Sequence, residues 1–226
     1  MTDFVLLHGT TQSAAGWERL GAALQAALQA AGRRSWTVEL ASSAELSAEA
    51  YGSEVRRQVP DTVQHPVVVA HSGAGLLLPA VARALGAHRQ VWLAAAIPDP
   101  GRSFLEEVSA APGRIFNDEW RGKDPTQDPV LATYFLFHDC DLATLRWALT
   151  TLRAFSPERA YREAVRLTPA IPSTYVVCSQ DRTLKPDWSR PEAKRRLSAD
   201  VVEIDAGHCP HVSRPAELAG LLGGLG

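Results

Sequence analysis

The chain has 226 residues, 46% hydrophobic and 21% charged, with a formal net charge of −2 and a pI near 6.4. That length suffices for one α/β domain with a full core, and the charge balance makes neither nucleic acid nor a membrane surface an expected partner. Cys140, Cys178 and Cys209 show no metal-ligand spacing, no N-terminal signal peptide is visible, and no apolar run approaches the ~18–20 residues of a membrane span, so a reduced, cytoplasmic setting is expected.

Phe4-Val5-Leu6-Leu7 reads as a buried parallel strand. It runs into His8-Gly9-Thr10-Thr11-Gln12-Ser13, a loop on the carboxyl edge of the sheet, where such folds bind ligands. Ser13 is placed to cap a helix whose apolar stripe is Trp17, Leu20, Leu24 and Leu28, with Gly32 suited to its end. Residues 36–40 predict a second strand, and residues 47–59, with Tyr51, Val55 and Val59 in period, an amphipathic helix stopped by Pro60.

Val67-Val68-Val69 predicts the next buried strand, followed by Ala70-His71-Ser72-Gly73-Ala74 and an apolar helical stretch from Leu76 to Leu85. A strand that turns into a helix at a serine flanked two residues away by small side chains fits a nucleophile elbow. Bulky residues at 70 or 74 would clash in so tight a turn. The turn also sets the hydroxyl at a helix N-terminus, where free N–H groups favour developing negative charge. A Gly-rich turn without chemistry would show the same small residues.

Residues 90–97 predict a strand closed by Pro98-Asp99-Pro100-Gly101. Strand and helix thus alternate, the pattern of a mostly parallel sheet of about six strands with helices on both faces. The next strand, Ser173 to Cys178, begins roughly 75 residues later, where a crossover needs about a dozen. Residues 98–170 therefore read as a small helical lid inserted into a core of 1–97 and 171–226. Trp120, Tyr134, Phe135, Phe137, Trp147 and Phe155 concentrate in the insertion, as the lining of an apolar pocket or as packing onto the body. Leu142, Leu145 and Leu149 look helical, as does 158–165.

Beyond Cys178, Asp181 lies just past a strand end. Residues 190–197 predict a helix, with Ser189 and Glu192 at capping-box spacing. Residues 201–205 are the last predicted strand, and His208 follows it. Ser213 is placed to cap the final helix, which has Pro215 near its start and Leu218, Leu221 and Leu222 on its buried side.

Ser72, Asp181 and His208 therefore all fall at carboxyl ends of predicted strands, in the order nucleophile, acid, base. A serine hydroxyl needs an imidazole to take its proton and a carboxylate to orient the imidazole. Asp187 and Asp99 are the rival acids. Backbone N–H groups of Gly73 and Thr10 are the expected oxyanion donors. His71 is expected to be structural, His8 to shape the oxyanion loop, and His211 to lie at the surface or behind the site. His138-Asp139-Cys140-Asp141 is a weak metal pattern, with Asp141 better placed as a helix N-cap; no metal is expected. Cys209, beside the base, is expected to line the pocket.

With these motifs in place, the sequence resembles the α/β-hydrolase superfamily, and within it the plant methylesterase and hydroxynitrile lyase group. The likeness runs through Phe4–Gly9, Ala70–Gly73, Tyr134–Cys140, Tyr175–Asp181 and Gly207-His208. It implies a cofactor-free enzyme with a small lid over an apolar pocket. The lyases of that group resemble one another in a Thr just after the first-strand His and a Lys just after the catalytic His. Gly9 and Cys209 stand there instead, which favours the esterase branch.

The expected activity is hydrolysis of a small carboxylic ester, or a related lactone or thioester, through an acyl-serine. Gly9, Phe137, Trp147 and Cys209 are the expected pocket residues. A lyase or acyltransferase on the same scaffold, or a non-catalytic receptor for a small ligand, are the alternatives. The expected partner is a small-molecule ester, and the expected assembly a monomer or homodimer.

Overall fold

Successive side chains on a strand point to opposite faces, so a sheet covered on both sides must be apolar on both. The strands here meet that demand. In the structure, a computed structural model that describes residues 3–28 and 34–225, six of them form one all-parallel sheet. They are β1 (Phe4–Leu7), β2 (Ser35–Val38), β3 (Val67–His71), β4 (Arg89–Leu93), β5 (Ser173–Cys178) and β6 (Asp200–Ile204), in the spatial order β2-β1-β3-β4-β5-β6.

The alternation sorts the core into two layers. Phe4, Leu6, Val67, Val69, Val91, Leu93 and Val176 face one way, against Trp17 and against Leu20 and Leu24 of α1 (Glu18–Leu28). Val5, Leu7, Val68, Ala70, Trp92, Tyr175 and Val177 face the other way. They pack on Tyr51 and Val55 of α2 (Ala48–Gln58) and on Ala80 and Val81 of α3 (Leu78–Ala84). Ser47 caps α2 by accepting Ala50 N–H at 3.2 Å. Of the stripe read for α1, the Leu28 side chain lies outside the described residues, as does Gly32.

The β4–β5 connection carries α4 (Phe104–Ala110), α5 (Pro112–Ile115), α6 (Pro129–Phe135), α7 (Leu142–Thr150) and α8 (Glu158–Arg162). Its apolar residues divide between two clusters. Phe104, Ile115, Phe155 and Ala160 join the core layer under α2 and α3. Ala132, Phe135, Leu136, Phe137 and Ala148 form a separate apolar cluster with Cys209 and Val212 from the chain after β6. Asp141 caps α7 through Thr144 N–H at 2.7 Å, as expected. Leu142, Leu145 and Leu149 are helical, as expected; Leu142 is exposed, and the helix buries Thr144 and Ala148. The helix expected over 158–165 stops at Arg162.

The chain closes with α9 (Pro186–Leu197), α10 (Pro210–Ser213) and α11 (Pro215–Gly223). Leu218 and Leu222 of α11 complete the layer around α1, with Leu221 at its margin. Three serines expected to cap helices make no side-chain cap bond, although Ser13 does hold an N-cap position. Ser13 heads a 3₁₀ turn (Ala14–Trp17) before α1, yet its hydroxyl donates to Thr151 O at 3.2 Å. Ser189 sits inside α9, which begins at Pro186, and Glu192 serves Arg195, Arg196 and Arg114. Ser213 ends α10, and Arg214 takes the cap position of α11. In each case a tertiary partner or a proline-started helix overrode the local pattern. β4 is shorter than expected for a related reason. Ala94 adopts φ +42°, and Ala96 N–H donates to Ser72 O at 2.9 Å, so the chain leaves the sheet to cross the serine turn.

Candidate active site

Ser72 stands directly after β3 with φ +54°. That left-handed backbone is uncommon for a residue with a Cβ and costs of order 1–3 kcal/mol. Ala70 and Ala74, the small residues of the motif, are completely buried. The next residues form a 3₁₀ turn, Ser72–Leu76, whose first N–H groups, Gly73 among them, have no partner within the turn.

His208 meets this serine from the loop after β6. Its Nε2 lies 2.9 Å from Ser72 Oγ, and its Nδ1 lies 2.8 Å from Asp181 Oδ2. Asp181, in the loop after β5, uses its other oxygen to accept Thr183 N–H at 2.7 Å and Leu184 N–H at 3.0 Å. Those two bonds fix the carboxylate's orientation, and its side chain is only 4% exposed. The rival acids lie elsewhere. Asp187 is exposed and paired with Arg190, and Asp99 lies 3.8 Å from the buried Arg196 guanidinium.

Three other histidines, His8, His71 and His211, are buried around the site. His71 Nε2 donates to the His208 carbonyl oxygen at 2.9 Å. Its ring lies between those of His208 and His211, with centroids 4.7 and 4.6 Å away. Burial, then the neighbouring His211 and His208, hold His71 well below the usual histidine range. His211 is not at the surface. It is buried, donates to Gln12 Oε1 at 3.0 Å, and is pushed down to about 3 by burial and His208. His8 donates from Nδ1 to Gly9 O and accepts Leu40 N–H at Nε2, each at 2.9 Å. Glu39 lies 3.2 Å from that Nε2. Burial nevertheless lowers the His8 pKa and the nitrogen is already an acceptor, so the contact is not an ion pair.

The loop after β1 is stapled to the end of the insertion. Thr10 O accepts Phe155 N–H at 2.8 Å and Thr11 O accepts Arg153 N–H at 3.2 Å. A Cβ added to Gly9 would fall 2.8 Å from His71 Nδ1 and 2.9 Å from Ser72 Cβ, so only glycine lets the loop pass this close to the serine. Phe137 is completely buried in the cluster behind Cys209. Trp147 is partly buried there and carries the Arg19 guanidinium 4.9 Å above its ring. The Cys209 thiol, raised well above the usual range by burial, points to Gln12 Oε1 at 3.7 Å.

Several positioning contacts escaped the sequence reading. His138 Nε2 donates to Gln180 O at 3.0 Å, and Asp139 Oδ2 accepts Gly207 N–H at 3.0 Å. The pair that suggested a weak metal pattern thus ties the insertion to the residues just before Asp181 and His208. Among the described residues no group of three His, Cys, Asp or Glu is arranged around a metal position, and no helix is long and apolar enough to cross a membrane. Tyr161 carried no motif that could have marked it, and the pattern around Asp139 pointed to a metal, not to this tie.

The fold has parallels. No curated protein matches the sequence. Solved structures do match in fold. Polyneuridine aldehyde esterase superposes with a TM-score of 0.79 at 19% identity, covering 100% of this chain and 99% of its own. A methylesterase from Arabidopsis gives 0.73 at 18% identity, covering 100% and 98%. Tomato methylketone synthase I, complexed with 2-tridecanone, gives 0.74 at 17% identity, covering 99% and 97%. The profile of the alpha/beta hydrolase family matches residues 4–221, nearly the whole chain, and the protein belongs to that family.

Proposed function

We propose that the protein hydrolyses a small carboxylic ester through an acyl-serine intermediate. The observation that carries this reading is the continuous hydrogen-bonded line from Asp181 through His208 to Ser72. His208 Nε2 takes the proton of Ser72 Oγ as the hydroxyl attacks the ester carbonyl. Asp181 holds the Nδ1–H tautomer and stabilises the imidazolium that forms. The tetrahedral oxyanion accepts from Gly73 and Thr10 N–H. His208 then gives its proton to the leaving alcohol. In the second half of the cycle a water, deprotonated by His208, attacks the acyl-serine and releases the acid.

In this reading residues 98–170 form the lid, and Phe137 and Trp147 bound the pocket from behind Cys209. Two positions favour hydrolysis over cyanohydrin cleavage. Gly9 leaves no room for a hydroxyl-bearing side chain beside Ser72. Cys209, buried and held as a neutral thiol, supplies no cation next to the base.

The test is release of p-nitrophenol from acetate through octanoate esters, followed in time with wild type and Ser72→Ala. A burst of one equivalent and then steady turnover, in wild type alone, is expected. Undiminished hydrolysis by Ser72→Ala would overturn the reading.

A further inference from the structure

Tyr161 of α8 reaches the serine turn from the insertion. A Cβ built on Gly73 would fall 2.2 Å from the Tyr161 hydroxyl oxygen and 2.6 Å from Thr10 Cγ2. The hydroxyl oxygen therefore lies within about 4 Å of Gly73 Cα, one carbon–carbon bond further on. The two residues whose backbone N–H groups are the proposed oxyanion donors are thus the two that flank this phenol. Glycine at 73 makes the arrangement possible, because any larger residue would displace the hydroxyl.

The phenol is held from several sides. Tyr161 N–H donates to Pro157 O at 3.1 Å, and the ring meets Phe104 edge-on at 5.8 Å. Its hydroxyl interacts with the Thr10 side chain. Burial pushes its pKa above the usual tyrosine range, so the group keeps its O–H near neutral pH. A phenol has one proton to give, and this one stands beside Gly73, whose N–H is a proposed oxyanion donor.

We propose that Tyr161 is a further catalytic residue of the oxyanion site, its side-chain O–H donating to the carbonyl oxygen that Gly73 and Thr10 N–H also bind. This rests on the acyl-serine reading above. The phenol keeps its proton throughout. In the free enzyme the Thr10 side chain acts as donor to the phenol oxygen, which leaves the phenol proton for the substrate oxygen as negative charge develops there. A donor that strengthens in the transition state raises kcat more than it lowers KM.

The test compares wild type with Tyr161→Phe, which keeps the ring and its packing. Acylation of Ser72 by p-nitrophenyl acetate should slow by about 10²-fold, as for loss of one oxyanion donor, with KM changed less than about threefold. Binding of phenylboronic acid, whose tetrahedral serine adduct carries an oxyanion, should weaken by a similar factor in calorimetry. A merely space-filling Tyr161 would leave both quantities unchanged, or would shift KM alone, and either result overturns the proposal. The parent reading fails separately, through absence of a wild-type burst. In that case the boronic acid still decides, since equal binding to both proteins, or binding to neither, also overturns the role of Tyr161.

Discussion

His71 Nε2 donates to the carbonyl oxygen of His208 at 2.9 Å, so the residue preceding the proposed nucleophile anchors the backbone of the proposed base. The bond crosses from β3 to the loop after β6 and is wholly buried. His71→Leu would leave the His208 carbonyl unpaired, at a cost of about 1–3 kcal/mol, and would loosen the base. A lower urea midpoint together with a fall in kcat of roughly tenfold or more is the expected outcome. A variant with lowered stability and full kcat would show that the anchor acts on the fold alone.

Acid should destabilise the protein through its buried histidines. His8, His71 and His211 are all held below the ordinary value by burial, His211 at about 3. In the unfolded chain each titrates near pH 6.5, so below that pH the unfolded state binds more protons than the folded one. Stability is therefore fully present above about pH 6.5 and falls as pH drops, by up to about 1.4 kcal/mol per pH unit for each histidine. Urea midpoints at pH 7.5, 6 and 5 measure the slope. His211→Gln, which can still donate to Gln12, should show a shallower one. Identical slopes in the two proteins would mean that His211 is charged in the fold.

The left-handed conformation of Ser72 predicts that function and stability oppose each other there. Ser72→Gly relieves a strain of order 1–3 kcal/mol, whereas Ser72→Ala retains it. Both variants should lose ester turnover. Ser72→Gly should unfold at the higher denaturant concentration of the two. The reverse order would indicate that the serine turn is not strained.

Asp181→Asn should preserve the fold and lower kcat by about 10⁴-fold, because an amide can stabilise the wrong imidazole tautomer. Asp187→Asn and Asp99→Asn should stay within a few-fold of wild type. Steady-state kinetics on one ester decide this, and a large loss in either of the latter two would reassign the acid.

Asp139 ties the insertion to the loop of the base by accepting Gly207 N–H at 3.0 Å. Asp139→Ala removes a charge-assisted bond of about 1.5–3 kcal/mol. It should raise hydrogen exchange at Gly207 and His208 and reduce kcat, with the sheet unaffected. Unchanged exchange at those two amides would rule the tie out.

The sheet and the residues of the candidate site could be read from the sequence because both are written in local pattern. Apolar strand runs, small residues around Ser72, and Asp181 and His208 just past strand ends each follow from a handful of neighbouring residues. The division of the core into two layers also follows from alternation within β1 and β3. The cap at Ser13 misled because the fold brings Thr151 O to its hydroxyl, and those at Ser189 and Ser213 because the helices start at Pro186 and Pro215 and each hydroxyl bonds the carbonyl four residues back. Asp141, whose partner is three residues away, did not.

Sequence by itself determined the fold class and the order of chemistry-bearing residues along the sheet edge. Only tertiary structure decided which carboxylate faces His208, that His211 is buried and neutral, and that Tyr161 meets Gly73. The physical reason is range. Strand and turn preferences act over a few residues, whereas Tyr161 lies 88 positions from Gly73 in the chain, and only the packing of α8 against the serine turn makes them neighbours.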